Sequence, residues 1–345
     1  MKEEAGMADD FIEVALAADA NYRMGLLVTA CSLARRAAKD ASIRFSILDG
    51  GLPQEDWDFL CQKVLELHPN SMFNRIPVNQ RQFADFPAWN GDGRMTYARL
   101  LLPRLMPDAR HVIYCDVDFL WLADVADLWA LRSDDVVCLC VPDGTDVVVE
   151  RERKWFMRHG FAFDGSRYFC AGMCLFNLDL LRQMDIAGQC LSFLSRWPDA
   201  QFRDQTALNA VLGEHAGRSG VRNVDFLPGK WHRMSRVVTG KDVTGGCAIH
   251  YAGDAPWKRA GWYMPISDAV MLWYREYART CGIGTWRALC RFNGAFRAVF
   301  LRSVFFALTV PVLRTISYWI IEDVRRATIG DELRAKNRRL GVCLA

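Results

Sequence analysis

The stretch Tyr114-Cys115-Asp116-Val117-Asp118-Phe119-Leu120 sets two carboxylates one residue apart, directly after the apolar run His111-Val112-Ile113-Tyr114-Cys115. Along a continuing strand, successive side chains alternate faces, so Asp116 and Asp118 would project the same way. Carboxylates held side by side repel unless a proton or a cation lies between them. Hard oxygen ligands at a strand end suit Mn²⁺ or Mg²⁺, ions that keep open positions for substrate phosphates. Asp-x-Asp is also a common tripeptide, and its other reading is a strand that ends in a solvated acidic turn.

The surrounding pattern predicts the elements that would carry such a pair. Residues 11–17 read as a buried strand ending at Asp19-Ala20-Asn21-Tyr22, and 24–39 as a helix. Strands are expected at 43–48, 111–118, 135–141 and 174–178, and helices at 55–67, 96–105 and 204–212. This alternation predicts an α/β fold, Rossmann-like, with a mostly parallel sheet flanked by helices. Ligands of such sheets bind at the carboxyl ends of the strands. Asp19 ends the first strand and Asp116 with Asp118 a later one, both where a nucleotide is expected. The chain has no Gly-x-Gly-x-x-Gly and no Walker loop, which argues against a dinucleotide enzyme and a P-loop NTPase.

With 345 residues, 51% hydrophobic and 12% aromatic, the chain has the makeup of a globular protein with a sizeable core. The net charge of +3 is unevenly spread: residues 287–345 carry eleven Lys and Arg against four Asp and Glu, a net +7, leaving −4 for the rest. A basic tail on an acidic body predicts an anionic surface as partner. Within that tail, residues 297–313 are rich in Phe, Val and Leu; Arg297, Arg302 and Arg314 break the stretch, and Pro311 would kink it. The uninterrupted apolar run 303–313 is about half the length of a spanning helix. It predicts an amphipathic helix lying in a membrane interface, the alternative being a core-packing helix with a basic face. The acidic residues 1–10 lack an apolar signal core, which predicts a chain that is not secreted. Twelve cysteines scattered through apolar runs read as buried, reduced thiols. Cys170, Cys174, Cys247 and His250 can be combined into a zinc set on paper, but their spacing matches no zinc signature.

Seven blocks carry a resemblance. They are Ala17-Ala18-Asp19-Ala20-Asn21-Tyr22; Ile43-Arg44-Phe45 with Leu48-Asp49; Thr96-Tyr97-Ala98-Arg99-Leu100; and Tyr114-Cys115-Asp116-Val117-Asp118. Then follow Phe169-Cys170-Ala171-Gly172 with Phe176-Asn177-Leu178; Asp204-Gln205-Thr206-Ala207-Leu208-Asn209; and His250-Tyr251-Ala252-Gly253 with Pro256-Trp257. In this order the chain resembles glycosyltransferase family 8, retaining enzymes of the GT-A fold, and especially bacterial lipopolysaccharide galactosyl- and glucosyltransferases.

The resemblance implies a UDP-sugar donor, UDP-galactose or UDP-glucose, with Mn²⁺ on its diphosphate and Mg²⁺ as the alternative ion. It makes Asp116, Asp118 and His250 the metal ligands, with Val117 between them in the donor strip. It assigns Asp19, Asn21 and Tyr22 to the base-binding loop, and Arg99 to the diphosphate or donor sugar, a salt bridge on a helix being the other reading of Arg99. Asp143 corresponds to a donor-sugar contact, and Gly253 follows the metal histidine. Asp204 and Gln205 match the pair beside the anomeric carbon. An amide is a poor nucleophile, so front-side attack with Gln205 as stabiliser is the expected mechanism.

Two departures stand out. Cys170 occupies a position where the family usually has an asparagine touching the donor sugar. The family's Gly-x-x-Lys-Pro-Trp appears as Gly253-Asp254-Ala255-Pro256-Trp257, without its phosphate-binding lysine, and Lys258 is the replacement expected to reach the diphosphate. The domain plan expected is an extension at 1–10, a GT-A domain at 11–270, and a helical, basic, membrane-associating region at 271–345. The implied acceptor is a glycolipid at the inner, cytoplasmic face of the membrane, with no role for nucleic acid. The competing reading is a degenerate relative that binds nucleotide-sugar or glycan without turnover.

Overall fold

The structure, a computed structural model, describes residues 11–88, 93–144, 146–214, 221–253, 255–258, 267–285 and 287–288. The chain divides into two compact units, residues 1–255 and 256–345.

In chain order the strands of the first unit are β1 (Ile12–Ala18), β2 (Ile43–Asp49), β3 (Ser71–Pro77), β4 (His111–Cys115), β5 (Phe119–Trp121), β6 (Val136–Pro142), β7 (Phe169–Asn177), β8 (Arg222–Phe226), β9 (Arg233–Met234) and β10 (Ala248–His250). Seven of them form one sheet in the order β3-β2-β1-β4-β7-β6-β8, and β5-β10-β9 form a small second sheet. In the large sheet β7 runs antiparallel to both β4 and β6, and the other pairings are parallel. This is the mixed, mostly parallel α/β arrangement that the pattern predicted. β1 and β4 are buried along their whole length because helices cover both faces, which is why they read as unbroken apolar runs.

Three expected elements come out differently. β4 stops at Cys115, and Asp116, Val117 and Asp118 form a turn. The cause is topological: β5, starting at Phe119, pairs with β10 in the other sheet, so the chain must leave the large sheet within these three residues. The expected helix at 96–105 is a 3₁₀ stretch, Met95–Leu101, followed by a single α-turn, Leu102–Leu105. Pro103 lacks an N–H and fits only the first turn of a helix, so a new helix starts there. The strand expected at 174–178 is the far end of the nine-residue β7, which already begins at Phe169.

In the second unit the helix Asp268–Cys281 is capped by the Ser267 hydroxyl and ends at Gly282, whose φ of 64° is a left-handed conformation suited to glycine. The ring of Trp273 lies 5.6 Å from that of Trp257 and is stacked on Tyr277. The Tyr274 hydroxyl donates to the Pro256 carbonyl at 3.0 Å. The basic apolar segment 297–313 lies outside the described residues. Among the described residues no helix is long and apolar enough to cross a membrane.

Candidate active site

The turn between β4 and β5 is held from below by the helix Arg23–Arg36. The buried hydroxyl of Thr29 lies 2.9 Å from the Val117 carbonyl and 2.7 Å from the Phe119 carbonyl, gripping the turn on both sides of Asp118. One turn further along the helix, Ser32 accepts the Trp121 N–H at 3.0 Å. The Asp118 carbonyl accepts the Tyr251 N–H at 2.9 Å, and β10 pairs His250 with Phe119. Sheet pairing across more than a hundred residues thus places His250 against the acidic turn.

Asp118 Oδ1 and His250 Nε2 form a buried ion pair 3.1 Å apart, and Oδ1 accepts no aligned hydrogen bond. Asp116 Oδ1 accepts from Arg99 Nη2 at 2.7 Å and from the Tyr114 hydroxyl at 2.9 Å. Its other oxygen faces Gly172. A Cβ at Gly172 would lie 2.9 Å from His250 Cε1 and 3.1 Å from Asp116 Oδ2, so a side chain there would fill the space between the three groups. Ligand atoms of Asp116, Asp118 and His250 lie within 4.8 Å of one another. Two carboxylate oxygens and one imidazole around a space kept open by glycine, with one oxygen buried and accepting no aligned hydrogen bond, fit a divalent cation. Adding imidazole to carboxylates shifts the preference from Mg²⁺ towards Mn²⁺.

The charges follow from that crowding. Burial raises the Asp116 carboxyl, with the Arg99 guanidinium opposing and the Asp118 charge adding to the rise. Burial also acts to raise Asp118, but His250 outweighs it and the net shift is downward. For His250 burial lowers the pKa, yet the adjacent Asp118 charge carries it to about 9. Without a metal, the imidazolium is itself the cation between the carboxylates.

The other half of the site depends on an irregularity in β7. Cys140 of β6 pairs with Cys174, but the next residue, Val141, pairs with Cys170, so Ala171, Gly172 and Met173 bulge from the β6 ladder. A bulge leaves backbone groups unpaired, and here the site takes them. The Gly172 carbonyl accepts the Asp116 N–H at 2.8 Å, the Ala171 carbonyl accepts from Arg99 Nη1, and the Ala171 N–H donates to Gln205 Oε1 at 3.0 Å. Buried Arg99 also reaches Asp204, Nε to Oδ2 at 2.9 Å. Gln205 Nε2 donates to Asp143 Oδ2 at 3.1 Å and to the Tyr168 hydroxyl at 3.0 Å. Both ends of the Gln205 amide are thereby fixed. One turn along the same helix, Asn209 pairs with both backbone groups of Phe169 at 2.9 Å, locking the helix Asp204–Glu214 to β7.

A family model described as "Glycosyl transferase family 8" matches residues 13–261, about three-quarters of the chain and all of this site. The chain belongs to glycosyl transferase family 8. It is therefore a retaining glycosyltransferase of a family that uses nucleotide-sugar donors and, as a rule, a divalent metal. It is similar to the solved galactosyltransferase LgtC in complex with donor and acceptor sugar analogues: TM-score 0.62 and 27% identity, covering 78% of this chain and 96% of LgtC. It is 25% identical over 209 residues to General stress protein A of Bacillus subtilis (strain 168), covering 59% of this chain and 70% of that one. A putative glycosyltransferase of Haemophilus influenzae is 25% identical over 203 residues, covering 58% of this chain and 59% of that protein.

Within this family member the structure gathers most of the residues singled out from sequence. Asp116, Asp118 and His250 meet at the cradle, and Arg99, Asp143, Asp204 and Gln205 form one connected network beside it. Asp19 sits past the end of β1, at the same carboxyl end of the sheet as Asp116, since β1 pairs with β4 in parallel at Leu16 and Cys115. Asp19 accepts the Asn21 N–H at 2.8 Å, which shapes the loop, and Tyr22 occupies the N-cap position of the following helix. Of the two readings of Arg99 the structure contains the salt bridge: its guanidinium is directed at Asp116, Asp204 and the Ala171 carbonyl. Gly253 lies on an exposed turn with φ 72°. Lys258 is exposed in the second unit.

Several contributors were assigned no role from sequence. Thr29, Gly172, Tyr168, Glu152 and Asn209 act through partners 16 to 90 residues away, or through having no side chain at all. His232 is another. Its Nε2 lies 2.7 Å from His250 Nδ1, and the His250 ring is stacked on Phe119 at 4.2 Å. Burial lowers the His232 pKa, which keeps the ring neutral. Burial raises the Cys170 thiol, while the neighbouring His250 pulls it down. Every described cysteine is a free thiol.

Proposed function

We propose that this enzyme transfers galactose or glucose, with retention, from UDP-galactose or UDP-glucose to a glycolipid of the lipopolysaccharide-core type, with Mn²⁺ held by Asp116, Asp118 and His250. The observation that carries the reading is Asp118 Oδ1, buried without an aligned hydrogen bond and facing His250 beside the space kept open by Gly172. A bound divalent ion supplies charge neutralisation for the diphosphate as it departs.

The protein's own groups account for the rest. Asp19, Asn21 and Tyr22 past the end of β1 suit a uracil: a carboxylate accepts its N3–H and an aromatic ring stacks on the base. The Gln205 amide, held by Ala171, Asp143 and Tyr168, presents a fixed dipole at the sugar and has no freedom to swing onto carbon as a nucleophile. That supports front-side attack. The bond from the anomeric carbon to the diphosphate oxygen breaks, the acceptor oxygen bonds to the same face, and the acceptor proton passes to the departing phosphate oxygen. Gln205 Oε1 stabilises the oxocarbenium-like charge between the two events, and Asp204, tied to Arg99, holds the helix start in place. The basic region 271–345 holds the enzyme at the inner face of an anionic membrane.

A screen of UDP-sugars for UDP release, with and without Mn²⁺, tests the proposal. Mn²⁺-dependent release from UDP-galactose or UDP-glucose is expected. The loss of the usual asparagine and lysine, at Cys170 and Ala255, favours a binding module instead, and that reading prevails if no donor gives metal-dependent release. Flotation with anionic liposomes tests the membrane role: the full chain floats and a chain ending near Tyr277 does not.

A further inference from the structure

We propose that Cys170, His232 and His250 form a second metal site, one that takes Zn²⁺ and shares His250 with the carboxylate pair, so that the two sites cannot be filled together. One ligand atom from each of the three lies within 4.8 Å of the others. All three side chains are buried, exposed by 9%, 8% and 4%. His232 Nε2 and His250 Nδ1 already face each other at 2.7 Å, and stacking on Phe119 holds the His250 ring in that plane.

The donor set decides the ion. A thiolate and two imidazoles are a soft set, and Mn²⁺ stands lowest and Zn²⁺ far higher in affinity for nitrogen and sulfur ligands. Three protein ligands with a fourth position open is an ordinary zinc arrangement. Tetrahedral coordination would part the two imidazole nitrogens only to about 3.3 Å, a small ring movement. The thiol proton leaves to solvent as the metal binds. From spacing alone zinc had no support, because Cys170, Cys174, Cys247 and His250 match no zinc signature. The structure replaces Cys174 and Cys247 by His232, which the pairing of β9 with β10 brings next to His250.

Mutual exclusion follows from the imidazole itself. A neutral ring has one lone pair and one N–H. Zn²⁺ on Nδ1 puts the proton on Nε2, the nitrogen facing Asp118, and an N–H cannot ligate a cation between the carboxylates. Filling the soft site therefore removes one ligand from the hard site, and Zn²⁺ acts as an inhibitor that Cys170 makes possible. The soft site stands on its own three residues, while the inhibition rests on the function proposed above.

Co²⁺, a coloured stand-in for Zn²⁺, tests the site in the full-length, metal-free protein. A near-ultraviolet thiolate-to-cobalt charge-transfer band should saturate at one equivalent, vanish on adding Zn²⁺, and fall with Mn²⁺ only at concentrations that fill the carboxylate site. Cys170→Ser should abolish it, and His232→Asn should weaken Co²⁺ binding at least about tenfold, with far-ultraviolet circular dichroism confirming that each variant is folded. Asp116→Asn and Asp118→Asn should keep the band, which separates this site from the carboxylate site. Absence of the band, a full band in folded Cys170→Ser, unchanged Co²⁺ affinity in folded His232→Asn, or loss of the band in the aspartate variants would each overturn the proposal. The band does not depend on whether any sugar is transferred.

Discussion

Asp118 and His250 form a charged pair 3.1 Å apart that lacks hydrogen-bond alignment. The geometry suits two ligands converging on a third body better than it suits a bond between them. Asp118→Asn removes one ligand and the charge that raises His250. Mn²⁺ affinity should fall by about a hundredfold or more, read by the electron paramagnetic resonance of free against bound Mn²⁺. Circular dichroism should stay unchanged.

Gly172 predicts a loss without the removal of any functional group. Its replacement by alanine inserts a Cβ within 2.9 Å of His250 and 3.1 Å of Asp116. Mn²⁺ affinity should drop by about tenfold to a hundredfold, while the thermal midpoint of the metal-free protein moves much less. Unaltered affinity in a folded Gly172→Ala protein would mean that the cradle lies elsewhere.

Thr29 predicts a coupling between a buried helix and the site. Thr29→Val keeps the shape and removes the hydroxyl that two turn carbonyls share, at a cost of about 1–3 kcal/mol in stability. Urea denaturation measures that cost. Because the carbonyls flank Asp118, Mn²⁺ binding should weaken alongside it.

Glu152 predicts a pH dependence. Burial raises its carboxyl from 4.5 to about 7, partly offset by hydrogen bonds from Thr206 and Tyr168. The folded protein therefore holds this proton up to about pH 7, whereas the unfolded chain releases it near 4.5. Between these values the native state binds more protons, so the contribution of Glu152 to stability is intact below 4.5 and lost as pH rises through 7. Glu152→Gln should flatten that slope and stabilise the protein at pH 8 by about 1–3 kcal/mol. Denaturation midpoints of both proteins at pH 5 and pH 8 provide the comparison.

Much of this was readable from residue types and order. Asp116 and Asp118 were legible because metal chemistry restricts which side chains can serve, His250 only through the family resemblance of its His-Tyr-x-Gly block, and Asp19 because strand ends bind ligands. The direction of the aspartates was not. A continued strand was expected, but β5 belongs to another sheet, a fact set by its pairing with residues 248–250. Arg99 was legible as a site residue, yet its direction depends on a bulge in β7 that exposes the Ala171 carbonyl. A bulge is a mismatch between two strands, and one strand's residues do not announce it. His232 could have been found only by knowing that β9 lies beside β10.

The product's anomeric configuration tests the central claim most directly. Proton NMR of the glycoside formed from UDP-galactose or UDP-glucose with Mn²⁺ should show an α-linked sugar, matching the donor. Asp116→Asn, Asp118→Asn and Gln205→Ala should each reduce its formation by about a hundredfold or more. A β-linked product, or undiminished transfer by the aspartate variants, would contradict a retaining, metal-assisted site at this turn.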